Sequence, residues 1–144
     1  MLGDIQIIEL LDETQDALLD AERRLFSLSK DWLSLFPLST ALYAIYDSGV
    51  LVYIGETGNI RKRMSDLTRT VNHSFRRSLG YRLFGYRATS RTKFKPVDEM
   101  ALNVYFEKNI TIGFLELSFG RLEVEEYIVD KFQDQLMNKK TKRI

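Results

Sequence analysis

Two tyrosines ten residues apart, Tyr43 and Tyr53, an arginine ten residues further on, Arg63, and a cluster of glutamates, Glu123, Glu125 and Glu126, are the side chains whose types and spacing could do chemistry. Several other chemistries lack their parts. There is no cysteine, which removes disulfides, thiolate metal sites and cysteine nucleophiles together. A lone histidine, His73, excludes a multi-histidine metal centre. No glycine-rich phosphate loop and no serine in a nucleophile elbow occurs.

Helical phase singles out two of the charged residues. Ile60, Met64 and Leu67 form an apolar stripe at i, i+4 and i+7, and Arg63 lies on that face. A charge beside a core stripe needs a partner or a purpose. The bland alternative is an arginine whose stem runs past the core edge to solvent. Near the end of the chain, Leu122, Ile128, Val129, Phe132 and Leu136 read as one helix face with Glu125 at its centre. Glu126 points about 100° away, and Glu123 and Glu126 suit a solvated face.

The net charge of +1 hides a segregation. Residues 61–95 hold 11 Lys/Arg and one acid, a local net of +10. Residues 1–35 carry a net of −5 and residues 96–138 a net of −6. Such asymmetry suggests a polyanionic partner, with an ordinary solvated surface as the alternative. Within the basic stretch Arg76, Arg77, Arg82, Arg87, Arg91, Lys93 and Lys95 alternate with Phe75, Tyr81, Phe84, Tyr86 and Phe94, which would combine charge with flat contact surface.

The elements that must position these residues can be read from periodicity. Residues 12–36 are expected as one amphipathic helix ended by Pro37. Residues 41–46 and 50–54 are β-rich runs joined by Asp47-Ser48-Gly49, a hairpin. Asn59 is a plausible cap for a helix from Ile60 to about Thr70. A short helix over 74–79 should stop at Gly80, leaving 80–95 as an exposed basic loop. A helix over 97–108, a third strand over 110–117 and a last helix over 121–136 follow. The fold class is α+β, a small three-stranded, mainly antiparallel sheet flanked by helices with an added N-terminal helix. The expected organisation is a single domain over 1–144: a helical extension at 1–38, a core at 41–138 and a basic tail at 139–144. The length of 144 residues suits one domain. No apolar run approaches the roughly 20 residues that span a bilayer, and the first residues do not resemble a signal peptide. The expectation is a cytoplasmic protein with no membrane association; the sequence leaves its oligomeric state open.

The stretch Ala41-Leu42-Tyr43 with Tyr53-Ile54-Gly55 and then Arg63 resembles the signature of the GIY-YIG nucleases. That family has a tyrosine on each hairpin strand, a glycine closing the second strand and an arginine on the next helix. Tyr53-Ile54-Gly55 matches one half of the motif in full; the other half is degenerate. Ala44-Ile45-Tyr46 is a decoy, because the family's tyrosines stand about ten residues apart, which fits Tyr43 and not Tyr46. Family members also carry a glutamate on a late helix followed by two aliphatic residues and, further on, an asparagine. The aliphatic pair Ile128-Val129 selects Glu125; counting back from Asn138 selects Glu126. The likeness spans roughly residues 41–138. Three positions depart from it: Ala41 stands for a glycine, Leu67 for the His or Tyr that many members carry one turn after the arginine, and no proline precedes Asn138.

The resemblance implies hydrolysis of DNA phosphodiester bonds with one Mg²⁺ or Mn²⁺ ion. Tyr43 would activate or orient the attacking water, Tyr53 would hydrogen-bond the water or phosphate, and Arg63 would hold the phosphate with its planar fork. Glu125 would bind the ion, Asn138 would brace the site, and His73 would be an auxiliary base or phosphate contact. Lowering the Tyr43 pKa from its free value near 10 requires nearby positive charge. The other readings are a catalytically silent nucleic-acid-binding module on the same fold and a structural partner using the N-terminal helix.

Overall fold

The computed structural model describes residues 3–138; the basic tail at 139–144 lies outside them. Helix α1 (Asp4–Asp20) leads into a two-residue strand β1 (Arg24–Leu25) and a short helix α2 (Lys30–Ser34). The hairpin β2 (Ala41–Asp47) and β3 (Val50–Thr57) follows, then α3 (Ile60–Leu67), a 3₁₀ turn (Thr70–Asn72), α4 (Ser74–Phe84) and α5 (Pro96–Asn109). Strand β4 (Ile110–Glu116) and helix α6 (Arg121–Lys131) complete the order. The α+β class is as expected, but the sheet has four strands, ordered β1-β4-β2-β3 and antiparallel throughout.

The fourth strand comes from the segment expected to be one long helix. That helix breaks at Ala21, and Arg24 and Leu25 pair with Ile112 and Thr111 on the free edge of β4. An open edge is a row of unsatisfied backbone groups, so pairing there competes with helical continuation. Phe26 then turns inward against Trp32 and Phe106, at ring separations of 4.8 and 5.0 Å. The opposite edge is covered too: Met137 N–H donates to Val52 O at 2.7 Å.

The hairpin turns through Ser48 and Gly49, both at positive φ (51° and 86°), the pairing that suits the twist of a two-residue hairpin. Alternation along β2 builds two core layers. Ala41, Tyr43 and Ile45 face Ile60, Met64, Leu67, Phe75 and Phe106, beneath α3, α4 and α5. Leu42, Ala44 and Tyr46 face Leu18, Ile54, Val124 and Ile128, beneath α1 and α6. The decoy Tyr46 therefore lies on the face away from Tyr43, with the Arg23 guanidinium 3.6 Å over its ring.

Two further helices differ from expectation. Helix α4 runs through Gly80 to Phe84 and ends at Gly85, whose φ of 79° suits a left-handed C-cap. Gly80 serves packing instead: a Cβ there would come within 2.3 Å of the Phe94 ring. Residues 80–84 are thus helical, and Phe94 is buried. Helix α6 ends at Lys131, before the expected 136, and buries Val124 and Ile128, while Leu122 is exposed. Its buried face is centred on those two residues, which puts Glu125, half-buried, on the flank and Glu126 on the exposed side.

Candidate active site

Strand pairing and one glycine place the first tyrosine. Tyr43 stands opposite Gly55, and its ring lies across the space a Gly55 side chain would fill: a Cβ there would be 2.1 Å from Tyr43 Cζ and 2.3 Å from Oη. Tyr53 lies alongside, the rings stacked at 6.1 Å between centroids. Helix α3 brings the arginine. Asn59 caps it, accepting from Lys62 N–H at 3.1 Å, and Ile60, Met64 and Leu67 are all fully buried. Arg63, on the same face, donates Nε–H to Tyr43 Oη at 3.3 Å. Its Nη1 donates to Asn72 O at 3.1 Å and meets Asp66 at 3.4 Å.

The third ring arrives from the turn before α4. His73 is fully buried, and its Nε2 is 2.9 Å from Tyr43 Oη. His73 also caps α4: Nδ1 accepts the Phe75 N–H at 3.1 Å. Leu67, one turn after Arg63, is pure core, so the imidazole at the tyrosine comes from His73 instead. Tyr53 Oη reaches Ser74 Oγ at 3.5 Å, a contact absent from the sequence reading.

Electrostatics correct one expectation. Tyr43 is 1% exposed, and burial, reinforced by Tyr53, pushes its pKa well above the usual value despite the opposing charge of Arg63. The phenol is neutral at physiological pH in this state. Burial, then the charges of Arg63 and Arg77, pushes His73 well below the ordinary histidine value, so its ring is neutral as well. Burial opposes the charge on Arg63, but Tyr43, Tyr53 and Asp66 hold its pKa above the usual value.

Arg63 and His73 thus converge on the Tyr43 hydroxyl, with the Tyr53 ring stacked alongside. Asn138 sits at the neighbouring strand edge, its side chain accepting from Ile54 N–H at 3.0 Å and donating to Ile54 O at 2.6 Å. Ile54 lies between Tyr53 and Gly55, so Asn138 pins the strand that carries both. Glu125 belongs to α6, which packs through Val124 and Ile128 on the other core layer.

A family model for the GIY-YIG catalytic domain matches residues 33–143. The chain belongs to the GIY-YIG family. The matched span contains Tyr43, Tyr53, Arg63, Glu125 and Asn138, and the GIY-YIG domain is of nuclease type. No curated protein and no solved structure matches the chain.

The basic stretch of this GIY-YIG domain does not all reach solvent. Arg76 is 1% exposed. Its guanidinium donates to Asn103 at 2.6 Å, Glu99 at 3.2 Å and Thr70 at 3.1 Å. Arg76 is therefore not part of an exposed nucleic-acid footprint, because its donors are turned inward. Arg77 is half-buried, tied to the carbonyls of Thr70 and Val71 at 3.1 and 2.9 Å. Arg82, Arg87, Arg91, Lys93 and Lys95 are exposed. The aromatic partners are mostly core: Phe75 and Phe94 are buried, and Phe84 and Tyr86 pack on Phe94. Only Tyr81 is clearly exposed, under the Arg87 guanidinium at 4.1 Å. Substituting Arg76 by alanine removes the cation from a largely buried ion pair and is expected to destabilise the fold by roughly 3–5 kcal/mol. Urea unfolding measures this; a loss under about 1 kcal/mol would mean Glu99 and Asn103 find other partners.

No helix among the described residues is long and apolar enough to cross a membrane.

Proposed function

We propose that the chain is a metal-dependent DNA endonuclease that hydrolyses phosphodiester bonds. The observation that carries this reading is the convergence of Arg63 and His73 on the Tyr43 hydroxyl, with Tyr53 stacked beside it, at the glycine-floored end of the hairpin. Hydrolysis needs an oriented water, neutralised phosphate charge and help for the leaving oxygen. Arg63 binds a phosphate oxygen through its planar fork, giving up its contacts to Asn72 or Asp66 as it does so. Tyr43 and Tyr53 hydrogen-bond the phosphate or the water and fix the line of attack. Asn138 keeps the strand bearing Tyr53 in register.

Among the described residues no three His, Asp or Glu side chains form a closed metal site. Glu125 is the carboxylate that would hold a Mg²⁺ or Mn²⁺ ion, an oxygen-seeking cation for which a single protein carboxylate can suffice. Such an ion would supply Lewis-acid stabilisation of negative charge at the leaving oxygen. Partial burial of Glu125 and exposure of Glu126 favour Glu125 for this task. Glu125→Gln should abolish metal-stimulated cleavage while Glu126→Gln retains it, as a Mg²⁺ titration of both variants would read. The reverse result would move the ligand to Glu126.

DNA is the expected partner, held by the exposed cations Arg82, Arg87, Arg91, Lys93 and Lys95. Each phosphate contact should contribute about −0.9 to the slope of log affinity against log salt on duplex DNA. Reversing three of these charges should flatten the slope, and unchanged binding would place the footprint elsewhere. The neutral state of Tyr43 and the loss of a polar group at Leu67 favour a second reading, a silent DNA-binding module. Binding without cleavage would select it.

A further inference from the structure

The buried histidine beside Tyr43 has its two nitrogens committed to different partners, and this fixes where its proton sits. His73 Nδ1 lies 3.1 Å from the backbone nitrogen of Phe75, a group that can only donate. Nδ1 must therefore accept and carry no proton. In a neutral imidazole the proton then belongs to Nε2, which lies 2.9 Å from Tyr43 Oη and so donates to it. The tautomer is set by a helix cap: the first turn of α4 holds the ring through one backbone N–H and turns its N–H towards the tyrosine.

Tyr43 Oη consequently receives two N–H donors, His73 Nε2 and Arg63 Nε at 3.3 Å. A phenol oxygen has two lone pairs and one proton. With both lone pairs occupied, the proton is the one function left for a substrate. A relay in which Tyr43 passes its proton to His73 is closed, because the receiving nitrogen already bears one.

We propose that His73 is a positioning residue that donates a hydrogen bond to Tyr43, with its tautomer locked by the α4 cap, and is not a proton acceptor. This rests on the nuclease reading for its catalytic consequence, but not for its geometry. The charged and titratable groups facing the pair are Arg63 and Asp66 on α3, Arg77 on α4 and Tyr53 on β3. Burial, and after it the two cations, disfavours a second proton on the ring.

Two side chains separate the two bonds. Asparagine places an acceptor near the Nδ1 position and preserves the cap, but it is too short to reach Tyr43. Glutamine places an N–H near the Nε2 position and keeps the donor, while losing the cap. His73→Asn should keep near-native thermal stability and lose cleavage on the order of tenfold, the worth of one hydrogen bond of about 1.4 kcal/mol. His73→Gln should be less stable yet retain most of its activity at a temperature where it is folded. A proton acceptor would be lost in both variants, and a purely structural residue would leave the asparagine variant fully active; either pattern overturns the proposal. Nitrogen-15 NMR of the native chain gives a readout free of activity. The expected spectrum at neutral pH shows Nε2 protonated and Nδ1 bare, whereas a protonated Nδ1 overturns the proposal. If no DNA is cut by any form, the nuclease reading fails, and the ring's tautomer still decides the positioning.

Discussion

Replacing Arg63 by alanine is expected to lower strand cleavage by on the order of 10²-fold or more while the chain stays folded. The side chain is 27% exposed, and its ion pair with Asp66 is partly solvated, so its removal should cost under about 1 kcal/mol of stability. The effect on the reaction is larger because Arg63 is, among the described residues, the cation bonded to the Tyr43 hydroxyl, and the long 3.4 Å contact of its Nη1 to Asp66 can exchange for a phosphate. Lysine would not restore it, since a point charge cannot keep Nε on Tyr43 while offering two further donors. Single-turnover cleavage together with a thermal melt separates the two effects. Near-native cleavage by the alanine variant would remove Arg63 from the site.

Gly55→Ala should be nearly as damaging, through packing. The new Cβ would lie 2.1 Å from Tyr43 Cζ and 2.5 Å from Cε1. The ring has little freedom to yield: it is 1% exposed, and its hydroxyl is bonded by Arg63 and His73. Overpacking of this kind costs about 1–3 kcal/mol, and an ångström of displacement at a reacting group costs roughly 10²-fold in rate. The cause can be isolated by a double-mutant cycle. Once Tyr43 is truncated to alanine, adding Gly55→Ala should cost little further stability, since the clash has gone. An equal cost in both backgrounds would place the effect in the strand itself.

The parts of the site that rest on local pattern were legible in the sequence. The stripe of Ile60, Met64 and Leu67 fixes the phase of α3, and with it Arg63, because helix geometry alone relates the four residues. The tyrosine spacing and the turn at Ser48 and Gly49 fix the hairpin in the same way. What was not legible depends on partners distant in sequence. Arg76 reads as one more cation in a basic run until Glu99 and Asn103 on α5 are brought beside it. Gly80 reads as a helix stop, yet its missing side chain is what admits Phe94. Strand β1 is two residues long, too short for any periodicity, and exists because β4 offers an edge. Leu122 reads as part of the α6 core face, but it is exposed and Val124 is buried in its place. The role of His73 was open between base and phosphate contact, since its tautomer depends on a cap that only the start of α4 reveals.

The tyrosine and arginine cluster is proposed to cut DNA. The most direct test is incubation of the purified chain with supercoiled, branched and single-stranded DNA in Mg²⁺ or Mn²⁺, with EDTA and with an Arg63→Ala preparation as controls. The predicted result is metal-dependent nicking by the native chain, absent in EDTA and slower by about 10²-fold or more in the variant. Retained DNA binding with no cleavage of any substrate in either metal would contradict the account and leave a binding module in its place.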